Sequence, residues 1–197
     1  MTLADDIRAC TLCPLAGRQE AGAQHVPATA GARYQPGGVA VLLDAPDYYE
    51  AMAGHLLTGK KGDAFGRMVE EAGLPVEELL VLASVRCHPP NNRLRDYPEA
   101  LSNCAGWTAA ELAAYAPKVM MVMGANAIKT VYGLEATVQG SRGAFLSTPA
   151  KHPWGRRVVT CTYHPAAASF DENVGPLIVQ DLRAAKHRAE LLKEVII

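Results

Sequence analysis

The sequence predicts an α/β fold in which helices cover both faces of a parallel sheet. Four short apolar segments of strand length are spread along the chain at 39–43, 81–85, 119–123 and 157–162. Helix-like segments alternate with these strands, which is typical of a parallel sheet. Polar residues follow the strand ends, where sheets of this kind bind their ligands. Asp44, Asp47, Cys87 and His164 occupy such positions.

The first 80 residues contain one of these strands and two predicted helices. Residues 3–10 are expected to form a short helix, and 19–38, which is rich in Gly, Ala and Pro, an irregular segment. The strand at 39–43 is broken by the sequence Asp44-Ala45-Pro46-Asp47. A loop at 59–62 with two glycines and two lysines then leads into a helix that Gly73 ends.

The stretch 81–104 organises the rest of the chain. Its strand, 81–85, is followed by Pro89 and Pro90, which lack an N–H and cannot continue a sheet. Pro98 suits the first turn of a helix that carries Cys104. The strand at 119–123 ends at Gly124, the strand at 157–162 leads into His164, and a final helix is expected at 179–195.

Composition favours a single domain. The chain has 197 residues and a formal net charge of −1, so overall charge gives no sign of nucleic-acid binding. The N-terminus lacks a basic and then apolar signal region, and no apolar run has the length of a membrane span. We therefore expect a cytoplasmic monomer that does not enter a membrane.

Five cysteines are the residues most suggestive of a metal site. In the cytosol, cysteines are metal ligands or free thiols more often than disulfides. The pair Cys10-x2-Cys13 alone is shared by redox, zinc and iron–sulfur sites. With Cys87 and Cys104 it makes four thiolates, enough for one [4Fe–4S] cluster or for zinc. Cys161 lies in an apolar run and is expected to be a small buried side chain.

Motifs over nearly the whole chain have the order and spacing of one family. They are Cys10-x2-Cys13-Pro14-Leu15, Ala45-Pro46, Gly59-x2-Gly62, Ala72-Gly73-Leu74, Cys87-His88-Pro89-Pro90, Asn92-Arg93, Cys104, Pro117-Lys118-Val119, Gly124, Arg142-Gly143 and Thr162-Tyr163-His164-Pro165-Ala166-Ala167. The chain thereby resembles the family 4 uracil-DNA glycosylases, the iron–sulfur branch of the uracil-DNA glycosylase superfamily. The resemblance implies a DNA glycosylase with a three-layer αβα fold around a central four-stranded parallel sheet, spanning residues 1–197.

The resemblance also implies roles for the cysteines and the strand-end residues. Cys10, Cys13, Cys87 and Cys104 match the four ligands of a [4Fe–4S] cluster that ties the N-terminal segment to the central loop. His164 matches the motif histidine and is the candidate donor to the leaving base. Asp44 occupies the place of a family glutamate, where it would orient water or balance a sugar cation. An Asx turn after the strand explains Asp44 equally well.

DNA contacts are expected around the same strand ends. Lys60 and Lys61 in the glycine loop, and Arg142, are candidates for phosphate contacts, although ordinary surface cations are the alternative. Pro165 and Ala166 form a turn that would let the backbone approach DNA closely. A glycosylase must flip its target nucleotide out of the stack, so a wedge residue is expected nearby, but the sequence does not identify it.

Three positions of the expected base pocket, which begins at Ala45 and Pro46, depart from the family pattern. Asp47 replaces a glycine, Leu57 stands where a phenylalanine stacks on uracil, and Ala83 stands where an asparagine reads the uracil edge. Because His164 and the four cysteines remain, we interpret the changes as altered base specificity. The leading hypothesis is a glycosylase for a C5-modified pyrimidine, such as a hydroxymethylated or glucosylated phage base, with a role in defence against phage. The alternatives are ordinary uracil excision repair and a catalytically silent DNA-binding protein.

Overall fold

The computed structural model describes residues 1–133 and 135–194. Its six strands are β1 (Thr29–Ala30), β2 (Val39–Leu43), β3 (Leu79–Ala83), β4 (Val119–Met123), β5 (Leu146–Ser147) and β6 (Val158–Thr162). Its α-helices are α1 (Leu3–Arg8), α2 (Tyr48–Ala53), α3 (Gly59–Glu71), α4 (Glu99–Tyr115), α5 (Ala125–Tyr132), α6 (Val138–Ser141) and α7 (Val174–Glu194). Short 3-10 turns, including Pro90–Asn92, Leu94–Asp96 and Pro165–Ser169, connect several of these elements.

The strands form one sheet in the order β1-β3-β2-β4-β6-β5. The four central strands are parallel, which confirms the predicted four-stranded parallel sheet. The two outer strands, β1 and β5, pair antiparallel with their neighbours and were not predicted. Each has only two residues, too few to show the alternating pattern by which a strand is recognised.

Helices cover both faces of this sheet, as the fold class requires. Alternate residues of each strand point to opposite faces. Val41 and Met121 pack on one face in a cluster that includes residues of α3 and α7. On the other face, Leu42 packs in a cluster with Leu112 of α4 and Ile128 of α5. The central strands are buried on both sides, so they appear in the sequence as continuous apolar runs.

Several predicted boundaries differ from the structure. Strands β2 and β4 have the predicted bounds, but β3 begins and ends two residues earlier than expected. Helix α1 ends at Arg8, and β6 begins one residue later than expected. Helix α7 begins at Val174, five residues before the predicted start, and the predicted end at Val195 lies outside the described residues.

The segment after β2 was predicted least well. Asp47 was predicted to break the strand and to line the base pocket, but it also caps helix α2, which was not predicted: its side chain accepts from the Glu50 N–H (3.0 Å), and the Glu50 carboxylate accepts from the Asp47 N–H (2.8 Å). Lys60 and Lys61 lie in the first turn of α3 and not in a loop. Within the described part of the chain, no helix is long and apolar enough to span a membrane.

Candidate active site

A cavity of about 290 Å³ opens beyond the carboxyl ends of β2 and β6. This cavity, here called the base pocket, is small for a ligand site but within reach of the usual range. Nine of the predicted site residues line it: Asp44, Ala45, Pro46, Asp47, Leu57, Lys61, His164, Pro165 and Ala166. Its other lining residues include Glu50, Gly62, Phe65, Asn92 and Asn126.

Asp44 binds the N-terminus of helix α5. One carboxylate oxygen accepts from the Ala127 N–H (2.6 Å), and the other accepts from the Asn126 side-chain amide (3.1 Å). Gly124, with φ +104°, permits this contact, because a Cβ there would lie 2.9 Å from the nearer Asp44 oxygen. Burial raises the pKa of Asp44, while these hydrogen bonds and the charge of His164 lower it. Asp44 is therefore a positioned carboxylate and not only a turn residue.

His164 faces the base pocket in one defined tautomer. Its Nδ1 accepts from the Ala166 N–H at 3.2 Å, so the ring proton of the neutral side chain lies on Nε2. Burial lowers the pKa of His164, the charge of Asp44 raises it, and the charge of Lys61 lowers it. The net shift is downward, so the imidazole is neutral at neutral pH and can donate one hydrogen bond from Nε2.

A second wall of the pocket is formed by the segment from Asp47 to Leu57. Besides accepting from the Asp47 N–H, the Glu50 carboxylate accepts from the Leu57 N–H at 2.7 Å, so one side chain holds both ends of this segment. Leu57 has φ +61°, a left-handed conformation that is costly for a leucine. Burial raises the pKa of Glu50, while its hydrogen bonds with the Asp47 and Leu57 N–H groups lower it. Sequence reasoning missed Glu50.

Two further features of this wall were not predicted as parts of the pocket. Gly62 lets helix α3 approach the Leu57 carbonyl so closely that no side chain would fit there. Phe65 is fully buried and lines the pocket, whereas its sequence spacing indicated only a core position of a helix. The Lys61 ammonium lies 3.4 Å from the Asp47 carboxylate, so a cation and an anion stand side by side at the rim.

The remaining predicted site residues lie outside the base pocket. Ala83 is buried in the sheet core next to Leu43, its partner in register on β2. Lys60 lies on an adjoining surface groove. Arg142 binds the Asp181 carboxylate of α7 through two hydrogen bonds (2.9 and 3.1 Å), and Thr162 donates to the same carboxylate at 2.6 Å.

Four of the five cysteines share one region. The charges of Cys104, Cys13 and Cys10 each raise the pKa of the Cys87 thiol, in addition to the larger effect of burial. The charge of Arg86, a buried residue paired with Glu111, lowers the pKa of Cys87 and of Cys104. The Trp107 indole donates to the Cys10 sulfur at 3.3 Å. Cys161, in contrast, lies in the core on the α4–α5 face of the sheet.

No three metal-binding side chains lie close enough together, in the part of the chain that the structure describes, to hold a single ion. The chemistry of the cysteine region still fits a larger group. It offers four thiols that act electrostatically on one another, a buried cation beside them and apolar neighbours such as Leu15 and Val85. Four thiolates are the ligand set of a [4Fe–4S] cluster, and Cys10, Cys13, Cys87 and Cys104 would supply them.

Exposed aromatic residues near the pocket also escaped sequence reasoning. Phe170 follows the turn that begins at His164, and 91% of its surface is exposed. Tyr48 and Tyr49 project from α2 with exposures of 40% and 68%. An aromatic side chain gives no sequence signal of exposure by itself, but its position a few residues after a site motif is a signal that could have been used.

Comparison with known proteins identifies the family of the chain. The family model described as the Uracil DNA glycosylase superfamily matches residues 39–193, a range that includes both walls of the pocket. The chain belongs to this superfamily. A Type-4 uracil-DNA glycosylase of Archaeoglobus fulgidus is 26% identical over 84% of this chain and 80% of its own length.

Two other relatives extend the comparison. A Type-4 uracil-DNA glycosylase of Thermotoga maritima is 24% identical over 93% of this chain and 91% of its own length. A Type-5 uracil-DNA glycosylase of Pyrobaculum aerophilum is 29% identical over 59% of this chain and 48% of its own. These similarities confirm the predicted resemblance to the family 4-like branch.

Proposed function

We propose that the protein is a DNA glycosylase that hydrolyses the N-glycosidic bond of a flipped pyrimidine and leaves an abasic site. The observation that carries this proposal is the neutral His164, whose Nδ1 is occupied and whose Nε2–H is free to donate within the base pocket. A donor at that place stabilises the negative charge that develops on O2 of the departing base. The bonding electron pair leaves with the base.

Asp44 acts on the other product of bond cleavage. As the bond breaks, positive charge develops on the sugar, and the Asp44 carboxylate is a fixed anion in the same pocket. The same carboxylate orients the water that adds to the sugar C1′, and the proton released from this water balances the charge left on the base. Desolvation of the pocket strengthens both electrostatic effects.

The base class is inferred from the second wall of the pocket, the segment from Asp47 to Leu57 together with the first turn of α3, here called the α2–α3 wall. Leu57 supplies less stacking area than an aromatic ring, and Asp47 and Lys61 place an acceptor and a donor at the rim. We propose that this pair binds a polar C5 substituent, such as a hydroxymethyl or a sugar-bearing group. Such bases occur in phage DNA, so the proposal includes a role in defence against phage.

Phe170 is proposed as the wedge that occupies the stack after flipping. Phe170 is almost fully exposed. It lies six residues after His164, at the end of the turn that lines the pocket. Apolar wedges inserted between base steps are a common way to unstack DNA. Phe170→Ala should slow excision from a duplex and leave excision from a single strand near the wild-type rate, because a single strand has no paired stack to open.

A [4Fe–4S] cluster held by Cys10, Cys13, Cys87 and Cys104 is proposed to fix the N-terminal segment to the loop after β3. The cluster is structural in this proposal and takes no part in bond cleavage. Cys87→Ser should lower the iron content and the folding stability, whereas the matched change Cys161→Ser should leave iron unchanged. Stoichiometric zinc in colourless protein, or iron loss in Cys161→Ser, would contradict the ligand assignment.

The activity is tested by incubating the protein with duplex and single-stranded oligonucleotides that carry uracil, 5-hydroxymethyluracil, 5-hydroxymethylcytosine or its glucosylated form. Abasic sites are detected by alkaline cleavage, with His164→Ala as the control for contaminating glycosylases. Release of a modified base in preference to uracil supports the specificity proposal. Equal or better release of uracil contradicts it and favours ordinary repair, in agreement with the names of the relatives. DNA binding without abasic sites on any substrate contradicts the proposed activity.

A further inference from the structure

A second concave surface, here called the flanking groove, continues from the base pocket along α2 and the first turn of α3. It has a volume of about 480 Å³. Asp47, Lys61 and Asn92 line both cavities, so the groove and the base pocket meet. The residues that give the groove its chemistry are Tyr48, Tyr49, Lys60 and Lys61.

Two tyrosine rings form one side of this groove. Tyr49 is 68% exposed, and its ring lies 5.4 Å from that of Tyr48 at an interplanar angle of 78°. Tyr48 in turn packs against His88, with 6.2 Å between the ring centroids. The contact with His88 thus supports the Tyr48 ring, while the Tyr49 ring is exposed to solvent. A supported but exposed aromatic ring is a stacking platform for a nucleobase.

Two lysines, Lys60 and Lys61, also line the flanking groove. The Lys61 ammonium is 3.4 Å from the Asp47 carboxylate, which partly neutralises it. Lys60 is exposed and makes no ion pair with any described residue. Gly59, between the lysines and the tyrosines, leaves open space above its Cα. Lys60 is therefore the cation available to a phosphate that enters the groove.

We infer that the flanking groove binds the nucleotide next to the flipped one, with its base unpaired and stacked on Tyr49 and its phosphate near Lys60. This inference rests on the proposed glycosylase function. A base that enters the groove to stack on Tyr49 must leave its partner strand, so the groove selects DNA that is single-stranded beside the target. The substrate class is then a pyrimidine in single-stranded or locally unpaired DNA.

The test measures binding and not catalysis, so that it does not depend on which base is excised. A fluorescein-labelled oligothymidine, which contains no modified base, is titrated with protein, and a fully paired hairpin of equal charge is the competing ligand. Tyr49→Ala should weaken oligothymidine binding by about 5- to 100-fold, the usual effect of removing one base–aromatic stack. Tyr49→Phe should bind like the wild type, because the ring is retained.

The control is Leu146→Ala, which removes an exposed apolar side chain from edge strand β5, a residue that lines neither cavity. It should bind both DNAs like the wild type. Lys60→Gln should reduce the slope of log affinity against log salt by about 0.7 for the single strand, and Lys151→Gln, another exposed lysine, should not.

Wild-type oligothymidine binding by Tyr49→Ala, or an equal loss on the hairpin, would overturn the inference. Failure of the proposed function is a separate result, because it would leave these binding differences in place while no abasic sites form. Circular dichroism of Tyr49→Ala checks that helix α2 still forms.

Discussion

The two walls of the base pocket are built in different ways. The wall at the ends of β2 and β6 carries Asp44 and His164, and backbone N–H groups of adjacent turns hold both side chains. The α2–α3 wall includes the segment from Asp47 to Leu57, which contains α2 and whose ends are both held by the side chain of Glu50. In the first wall His164 matches the family pattern and Asp44 keeps a carboxylate in place of a glutamate, whereas the second wall contains two of the three pocket departures, Asp47 and Leu57.

From this difference we infer that the strand-end wall carries the catalytic groups and that the α2–α3 wall determines which base is bound. Groups at the ends of buried parallel strands are fixed by the sheet itself, so replacing them disturbs a rigid frame. A segment held by side-chain contacts can change sequence at lower cost to the fold. We therefore expect changes in the strand-end wall to reduce turnover of every substrate and changes in the α2–α3 wall to shift preference between substrates.

The largest effect is expected from His164→Ala. Removing the Nε2–H donor should lower the single-turnover excision rate by roughly 10²–10³-fold, the usual cost of one transition-state donor. DNA affinity should change little, because phosphate contacts supply most of it. Excision at the wild-type rate would remove His164 from the mechanism.

The pH dependence of the excision rate should reflect the protonation of Asp44. Its pKa is raised by burial, so as the pH falls it takes up a proton, and loses its charge, at higher pH than an exposed aspartate does. The pKa of His164 is lowered, so its neutral form persists on the same acid side. The excision rate should therefore decrease with falling pH through the Asp44 pKa. Asp44→Asn should abolish this dependence and lower the rate on the order of 10²-fold, as for a positioned acid–base group. An unchanged acid limb in Asp44→Asn would contradict this assignment.

A pair of glycine variants tests whether the position of Asp44 in the strand-end wall matters for activity. Gly124 and Gly133 flank α5 with φ +104° and +92°, so an alanine strains the backbone similarly at both positions. Only at Gly124 does the added Cβ meet the Asp44 carboxylate. Both variants should lose roughly 1–3 kcal/mol of stability. Gly124→Ala should in addition lose activity by about tenfold, because a displacement of a catalytic group by a fraction of an ångström is costly. Equal activity of the two folded variants would show that the position of Asp44 does not matter.

The variant Leu57→Phe tests the recognition half, because Leu57 lines the base pocket whereas Ala83 does not. The ring would restore a stacking surface worth roughly 1–3 kcal/mol per base. Leu57 already has a positive φ, so phenylalanine adds no new backbone strain. Release of uracil should rise by about tenfold relative to a C5-modified base. An equal change on both bases would show that this wall does not set specificity. Asp47→Gly should weaken release of the modified base more than that of uracil.

The smallest effect is expected from Glu50→Gln. The amide oxygen can accept only one of the two backbone N–H bonds that the Glu50 carboxylate accepts, and the lost bond should cost about 1 kcal/mol of stability. KM should rise a few-fold while kcat stays close to the wild-type value, because Leu57 and Asp47 move and His164 does not. Glu70→Gln, on the exposed side of α3, is the matched control. A fall in kcat with unchanged KM would contradict the separation of the two walls.

The sequence was sufficient to locate the four central buried strands, although not every boundary. Strands β2 and β4 were predicted with their observed bounds, because each is a five-residue apolar run closed by Asp44 or Gly124. Helix α2 was missed although its capping pattern, Asp47 followed by Glu50, is present in the sequence. Asp47 was interpreted as part of the break after β2, because a helix of only six residues shows little periodicity in the sequence.

The residues of the site likewise fall into those that the sequence predicted and those that it did not. Asp44 and His164 were predicted to lie at the site from their positions after strands, which a parallel sheet brings together, and their roles were predicted from the family resemblance. The Asn126 contact to Asp44 joins residues 82 positions apart, and no local pattern announces it. Phe65 has the spacing of a core residue of a helix, and only the depth of the cavity shows that its ring also reaches the pocket.

The contact between Trp107 and Cys10 gives the molecule an internal optical probe. The chain has two tryptophans, and Trp154 is buried on the α4–α5 face, in a core cluster that does not contain the four clustered cysteines. In Trp154→Phe protein, the fluorescence would come from Trp107 alone, whose indole donates to the Cys10 sulfur. Its intensity would then follow the attachment and release of the N-terminal segment in real time, without a label and without DNA.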